Sequence, residues 1–155
     1  IINVQPSFLK IIQNFKTSAY GEIYLLSYKM FLNNPITGIG INNFKYVCNN
    51  FDNYKNMMLN YNCASHPHNI YIQWLTEGGL IVFIFFVLYL FYLLNFILNN
   101  NGSRENKIIS LVIILIMFWP IMSTGSLIKN WYGVITFFII GLCMSLSKFR
   151  NSHLN

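Results

Sequence analysis

The stretch His66-Pro67-His68-Asn69-Ile70-Tyr71-Ile72-Gln73-Trp74-Leu75-Thr76-Glu77-Gly78-Gly79 decides how the chain reads, because it leads into a long apolar run. From Gly78 to Leu98 run 21 residues with no charge and a single amide, Asn95. A helix needs ~20 apolar residues to cross a bilayer, so this run is predicted to span one. Two imidazoles, a row of amides and one carboxylate then stand at the mouth of a span. Groups that can move protons or bind hydroxyls at that place suit an enzyme whose substrate is anchored in lipid.

Composition agrees. The chain is 55% hydrophobic, 17% aromatic and only 9% charged, against about 25% charged in soluble domains. Ten Lys and Arg stand against four acids, a net charge of +6. The basic residues are scattered singly and form no stripe, so they read as interfacial and loop charges, and nucleic acid is excluded as a partner. No signal-peptide pattern is present. The chain starts Ile1-Ile2-Asn3, without Met, and its first third is polar. It is therefore expected to be the C-terminal part of a longer multi-span protein.

Two more spans are predicted. Ile108 to Ile128 is uncharged, but Pro120 and Gly125 interrupt it. This reads as a short span ending near Pro120, followed by a bent lip at Ser123-Thr124-Gly125-Ser126. Lys129 and Trp131 mark an interface, Trp131 to Ser147 forms the third span, and Lys148-Phe149-Arg150 closes it. The fold expected is all-α: a partly helical loop region over 1–77, three transmembrane helices over 78–147 and a tail over 148–155. Short-loop basic residues stay in the cytoplasm. Arg104 and Lys107 in one loop, with Lys148 and Arg150 in the tail, then put residues 123–129 and everything before Gly78 on the outer side.

Within the first region, Ala19 to Leu32 is predicted as a helix, with Ile23, Leu26, Met30 and, on the flank, Phe31 at helical spacing. Pro35 ends it by disfavouring helix at Asn34. Ile36-Thr37-Gly38-Ile39-Gly40 reads as a turn in which Gly supplies unusual backbone angles. Residues 42–62 have no clear period and are expected to be loop with one short helix. Cys48 and Cys63 lie in this outward part. In an oxidising compartment they can close a loop of about 16 residues, contributing about 3 kcal/mol by loss of unfolded-chain entropy; two reduced thiols are the alternative.

Pro67 suits the first turn of a helix, and a helix starting there is expected to run unbroken into the first span. Asn69, Gln73 and Glu77, at i, i+4 and i+8, form one polar line along it. Tyr71, Trp74 and Leu75 take other faces. Glu77 at the lipid boundary is costly without a partner. Three readings compete for His66 and His68. They can cap and solvate a helix start. They can bind metal, although that needs three or four ligands and no further ones stand at ligand spacing. They can do acid–base work, since imidazole titrates near neutral pH. Residue types leave the first and third open.

Several pieces, taken in order, resemble one family. His68-Asn69, nine residues and then Gly79 resembles the signature of bacterial O-antigen ligases and the related O-antigen polymerases and protein O-oligosaccharyltransferases. Asn34-Pro35-Ile36-Thr37-Gly38-Ile39-Gly40-Ile41-Asn42-Asn43-Phe44 resembles the family's Pro-x-x-Gly-x-Gly-x-x-x-Phe stretch. Phe44 to Cys48, Cys63 to Asn69, and Pro120 to Trp131 are similar to a subgroup with a cysteine at both places and a Pro, Thr-Gly-Ser, Asn-Trp ending. The likeness covers roughly residues 18 to 147. Two features depart from the pattern: Val82 stands where a second Gly is usual, and the Ala19–Leu32 helix carries no Arg.

The resemblance implies a multi-span GT-C glycosyltransferase of the bacterial inner membrane, with residues 1–77 periplasmic and no metal or other cofactor. It implies transfer of a glycan from undecaprenyl pyrophosphate to an acceptor hydroxyl, on lipid A–core for a ligase or on a growing glycan for a polymerase. His68 is the residue implied in catalysis. Lys45 and Lys29 are the cationic candidates for the pyrophosphate. His66, Asn69, Tyr71 and Gln73 are candidates for holding substrate, and Glu77 for orienting a neighbour. The 155 residues alone are expected to be inactive. A non-enzymatic transport or ligand-binding module is the rival class. It should place ionisable groups in mid-span, and none of the three spans has one.

Overall fold

The computed structural model describes residues 14–58 and 62–149; Arg150 and the rest of the expected tail lie outside them. All regular structure among the described residues is helical. A 3-10 turn, Phe15–Thr17, precedes α1 (Ala19–Asn33); α2 (Phe44–Asn50) and α3 (Asp52–Lys55) come next, then α4 (Ile70–Asn99), α5 (Arg104–Met117) and α6 (Asn130–Leu146).

Helix α1 starts where Ser18 accepts the Gly21 amide, 3.1 Å, and it buries Ile23, Leu26 and Met30 on one face. Against that face pack Phe44, Cys48 and Tyr54. The region expected to hold one short helix therefore holds two. Each presents only one or two buried residues, too few to register as a period.

Helix α4 departs from expectation at both ends of the histidine motif. It begins at Ile70, not Pro67, because His68 has a left-handed backbone (φ 58°). Asn69 is the cap, its side-chain oxygen accepting the amides of Tyr71 (3.0 Å) and Ile72 (3.1 Å). Nor does the helix run unbroken: Gly79 is non-helical, with φ 65° and ψ −167°. The break frees helix groups on either side, and the loop after α1 takes them. Ile39 and Gly40 donate to the carbonyls of Thr76 and Glu77 (both 3.0 Å), while Leu80 and Ile81 donate to those of Pro35 (2.9 Å) and Ile36 (3.3 Å). The two backbones are close enough that a Cβ on Gly79 would lie 2.3 Å from the Ile36 oxygen, and one on Gly38 2.4 Å from the Glu77 carbonyl.

Among the described residues, α4 alone is long and apolar enough to cross a membrane. Three spans were expected. Helix α5, at 14 residues, reaches about 21 Å at 1.5 Å per residue, short of a ~30 Å hydrocarbon core. Pro120 explains its early end, since it lacks an N–H and disfavours helix at Trp119. Phe86, Leu93 and Ile97 of α4 pack with Ile114 and Phe118 and with Ile140 and Cys143 of α6. At one end of this bundle Gly102 and Ser103 donate to the carbonyls of Ser147 (2.8 Å) and Phe149 (3.1 Å). There Lys107 caps the Leu98 carbonyl and Lys148 lies over the Phe96 ring. At the opposite end, residues 118–129 fold back over the start of α4.

Candidate functional site

That folded-back segment and the histidine motif build one site. The Thr124 amide donates to the His68 carbonyl, 2.8 Å. The Thr124 carbonyl oxygen lies 3.3 Å from His66 Nε2, and Ser65 Oγ lies 2.9 Å from His66 Nδ1. A carbonyl only accepts, so neutral His66 carries its proton on Nε2, donating it to Thr124, and accepts a hydrogen bond from the Ser65 hydroxyl at Nδ1. Both its ring nitrogens are thus engaged. The His68 ring lies against it, centroids 4.2 Å apart, with Tyr20 of α1 edge-on at 6.1 Å. Among the described residues neither His68 nitrogen has a hydrogen-bond partner. The Tyr20 hydroxyl reaches Ser123 Oγ, 3.3 Å away, closing the second side.

Both imidazoles are held below the ordinary histidine value. Burial is the main cause for each; the neighbouring His68 also acts on His66, and the charge of Lys129 acts on both. Burial and the Lys129 charge both favour the neutral ring.

The polar line Asn69, Gln73 and Glu77 lies beneath them and is almost wholly enclosed, at 5%, 2% and 1% exposure. The Asn69 amide donates to the carbonyl oxygens of Pro120 (2.7 Å) and Met122 (3.4 Å). Gln73 Nε2 donates to Ser126 Oγ, 2.7 Å, and to Glu77 Oε2, 3.0 Å. Glu77 also accepts the amides of Asn42 (3.1 Å) and Phe44 (3.3 Å). One line of side chains thus pins the 120–126 segment on one side and the loop into α2 on the other. Tyr71 is half-buried and its hydroxyl donates to the Phe118 carbonyl, 2.7 Å.

Next to Ser65, the neighbour of His66, opens a polar cleft of about 410 Å³, edged also by Lys45, Lys129, Tyr46 and asparagines of α2; neither imidazole is among its lining residues. Lys29, on the exposed side of α1, does not line it. Nine residues from Tyr20, it stands about 13 Å further along the helix axis. Cys48 and Cys63 are joined by a disulfide, which ties the segment leading to His66 onto α2. Under the motif lies an apolar slot of about 290 Å³, lined by Trp74, Phe86, Phe118, Leu127 and residues of α4 and α6. Among the described residues no three His, Cys, Asp or Glu side chains gather as metal ligands would.

The structure therefore brings His66, His68, Asn69 and Lys45 to one end of the fold and sets Tyr71, Gln73 and Glu77 beneath as supports. Sequence reasoning missed Lys129, Tyr20 and Thr124. Lys129 is 61 positions from His68 and read only as an interface marker; the visible hints at this segment were the small residues Ser123 to Ser126 and the family likeness of Pro120 to Trp131.

Residues 9–87, just over half of the chain, match the model of a family described as O-antigen ligase. No curated protein and no solved structure matches the chain.

Proposed function

The chain belongs to the O-antigen ligase family, and on that premise we propose that His68 is the base in transfer of a glycan from undecaprenyl pyrophosphate to an acceptor hydroxyl. The observation that carries the reading is the contrast between two adjacent imidazoles. His66 has both nitrogens bound within the protein, whereas those of His68 have no described partner, and Lys129, which acts on the His68 ring by its charge, edges the nearby cleft.

The chemistry is a displacement at the sugar's anomeric carbon. The acceptor hydroxyl gives its proton to a His68 nitrogen as its oxygen bonds to that carbon. The bond from that carbon to the pyrophosphate oxygen breaks, and the electron pair leaves with undecaprenyl pyrophosphate. Lys129 and Lys45 stabilise the departing charge, as point charges rather than as forks. A neutral imidazole is the form that can accept the proton, and burial with the Lys129 charge favours it. His66, Asn69, Gln73 and Glu77 hold the 120–126 segment and the loop into α2, fixing where the acceptor can lie. The apolar slot by Trp74 suits a prenyl tail.

In this reading α4 crosses the membrane with α5 and α6 packed along it, and the histidine end faces the periplasm. The gathering of Arg104, Lys107 and Lys148 at the opposite end supports that direction. Lipid A–core and a growing glycan are both compatible acceptors.

The test is His68→Asn in the full-length protein. Asn tolerates a left-handed backbone, so the substitution removes the base while sparing the turn. Glycan transfer should fall at least ~100-fold, the usual size of a general base's contribution, with membrane insertion unchanged. An unaltered glycan ladder in that variant rejects the assignment.

A further inference from the structure

The cleft next to Ser65 does not stop at Lys45. Lys45 and Asn49, one turn apart on one face of α2, also edge a second polar cleft of about 740 Å³ whose far side is Lys55, Asn56 and Asn62. The two clefts share Lys45 and Asn49 and are taken together as one trough, with Lys129 and Ser65 in the lining of the first and Lys55 and Cys63 in that of the second. Resting on the proposed transfer reaction, we propose that this trough binds an acidic saccharide, one bearing carboxylate or phosphate groups, running from the reacting bond past Lys45 to Lys55.

Two features of the lining carry this. Three lysines share one trough with no acidic side chain among its lining residues; Asp52, one turn before Lys55, is not part of it. Like charges gathered on one surface repel, and an anion lying between them removes that repulsion. A neutral sugar does not. The rest of the wall is dominated by asparagine, with Asn42, Asn49, Asn50, Asn56 and Asn62 all facing in. A carboxamide offers both donor and acceptor, which suits sugar hydroxyls that do both. A simple anion site needs no such row of amides. Lys55 lines only the second cleft, not the one with Ser65 and Lys129, so it reads the glycan rather than the leaving group.

The experiment uses the full-length protein in nanodiscs of neutral lipid and measures binding of a galacturonic acid hexamer and a neutral galactose hexamer by calorimetry. The acidic hexamer should bind about 10-fold more tightly, with the advantage lost near ~0.5 M salt, where the Debye length is only a few ångströms. Lys55→Gln should weaken acidic binding by about 3-fold, the scale of one exposed charge contact, and leave neutral binding alone. Equal affinity for the two hexamers, or no response to Lys55→Gln, overturns the proposal. So does a loss of acidic binding in phosphatidylglycerol nanodiscs that Lys55→Gln abolishes, for the trough is then a lipid headgroup site. Binding is read without turnover: His68→Asn should keep the acidic preference, and retained transfer in that variant sinks the catalytic assignment while leaving this one standing.

Discussion

Gly79→Ala tests whether the break in α4 is a built joint. Its backbone, φ 65° and ψ −167°, lies in a region essentially closed to residues with a Cβ, where holding a side chain costs ~1–3 kcal/mol. The added methyl would also sit 2.3 Å from the Ile36 oxygen and 2.5 Å from the Gly38 nitrogen, both backbone atoms that cannot rotate away. The 35–40 loop must withdraw. Four backbone hydrogen bonds go with it, each worth about 1 kcal/mol net, partly offset if residue 79 turns helical and restores bonds within α4. The balance is a loss of about 3 kcal/mol, on the order of a 100-fold rise in the open state. Gly141→Ala is the matched control. A Cβ there meets nothing within 4 Å, and in the helix interior Ala is favoured over Gly by ~1 kcal/mol. Hydrogen exchange at the Leu80 and Ile81 amides, with thermal unfolding in detergent, reads both. Exchange at those amides should speed on the order of 100-fold in Gly79→Ala and stay unchanged in Gly141→Ala. If the two variants behave alike, the joint is not what seats the loop.

Glu77→Gln should expose the loop from its other side. The amide oxygen can serve only part of the three-donor set, leaving the buried Phe44 N–H facing an NH2, at ~2 kcal/mol; faster exchange at Phe44 with little global unfolding is the expected result. Lys129→Gln should move the acid limb of kcat/KM. Protonation inactivates the base, and the Lys129 charge is one of the two influences that hold His68 below 6.5. Removing it raises the pKa, so the limb shifts to higher pH and the variant loses relative activity near pH 6; an unmoved limb contradicts the placement of Lys129. Cys48→Ser with Cys63→Ser should cost about 3 kcal/mol by the chain-entropy argument, and reductant should reproduce that loss in the parent protein but add nothing to the double variant.

Much of this was legible in the residues, and what was not has a common cause. Ile23, Leu26 and Met30 announced α1 because helical spacing is local. Asn69, Gln73 and Glu77 announced a polar line for the same reason. Their partners could not be read, since Pro120, Met122, Ser126, Asn42 and Phe44 arrive from segments some 30 to 50 positions away. Gly78-Gly79 stood in plain view inside an apolar helix pattern, but a glycine there is usually tolerated without a break. The break exists because another loop supplies the missing hydrogen bonds, and no local signal reports that. Lys29 and Lys129 show the same limit in reverse. Both are lone cations, and only the packing of α1 and the fold-back of the lip separate one that stands apart from the cleft next to Ser65 from one that lines it.

The left-handed turn at His68 ties these devices together. A residue with φ 58° outside glycine is uncommon, and it persists where its surroundings over-determine it. Here they do: the carbonyl of His68 is held by the Thr124 amide, the next residue is fixed as the cap of α4, and Tyr20 stands edge-on to the ring. Were residue 68 helical, α4 would begin earlier and Asn69 would no longer be free to cap it with its side chain. The ring's place is therefore set by backbone hydrogen bonds between distant segments, and among the described residues its own nitrogens are left without a partner, as the proposed role of base requires.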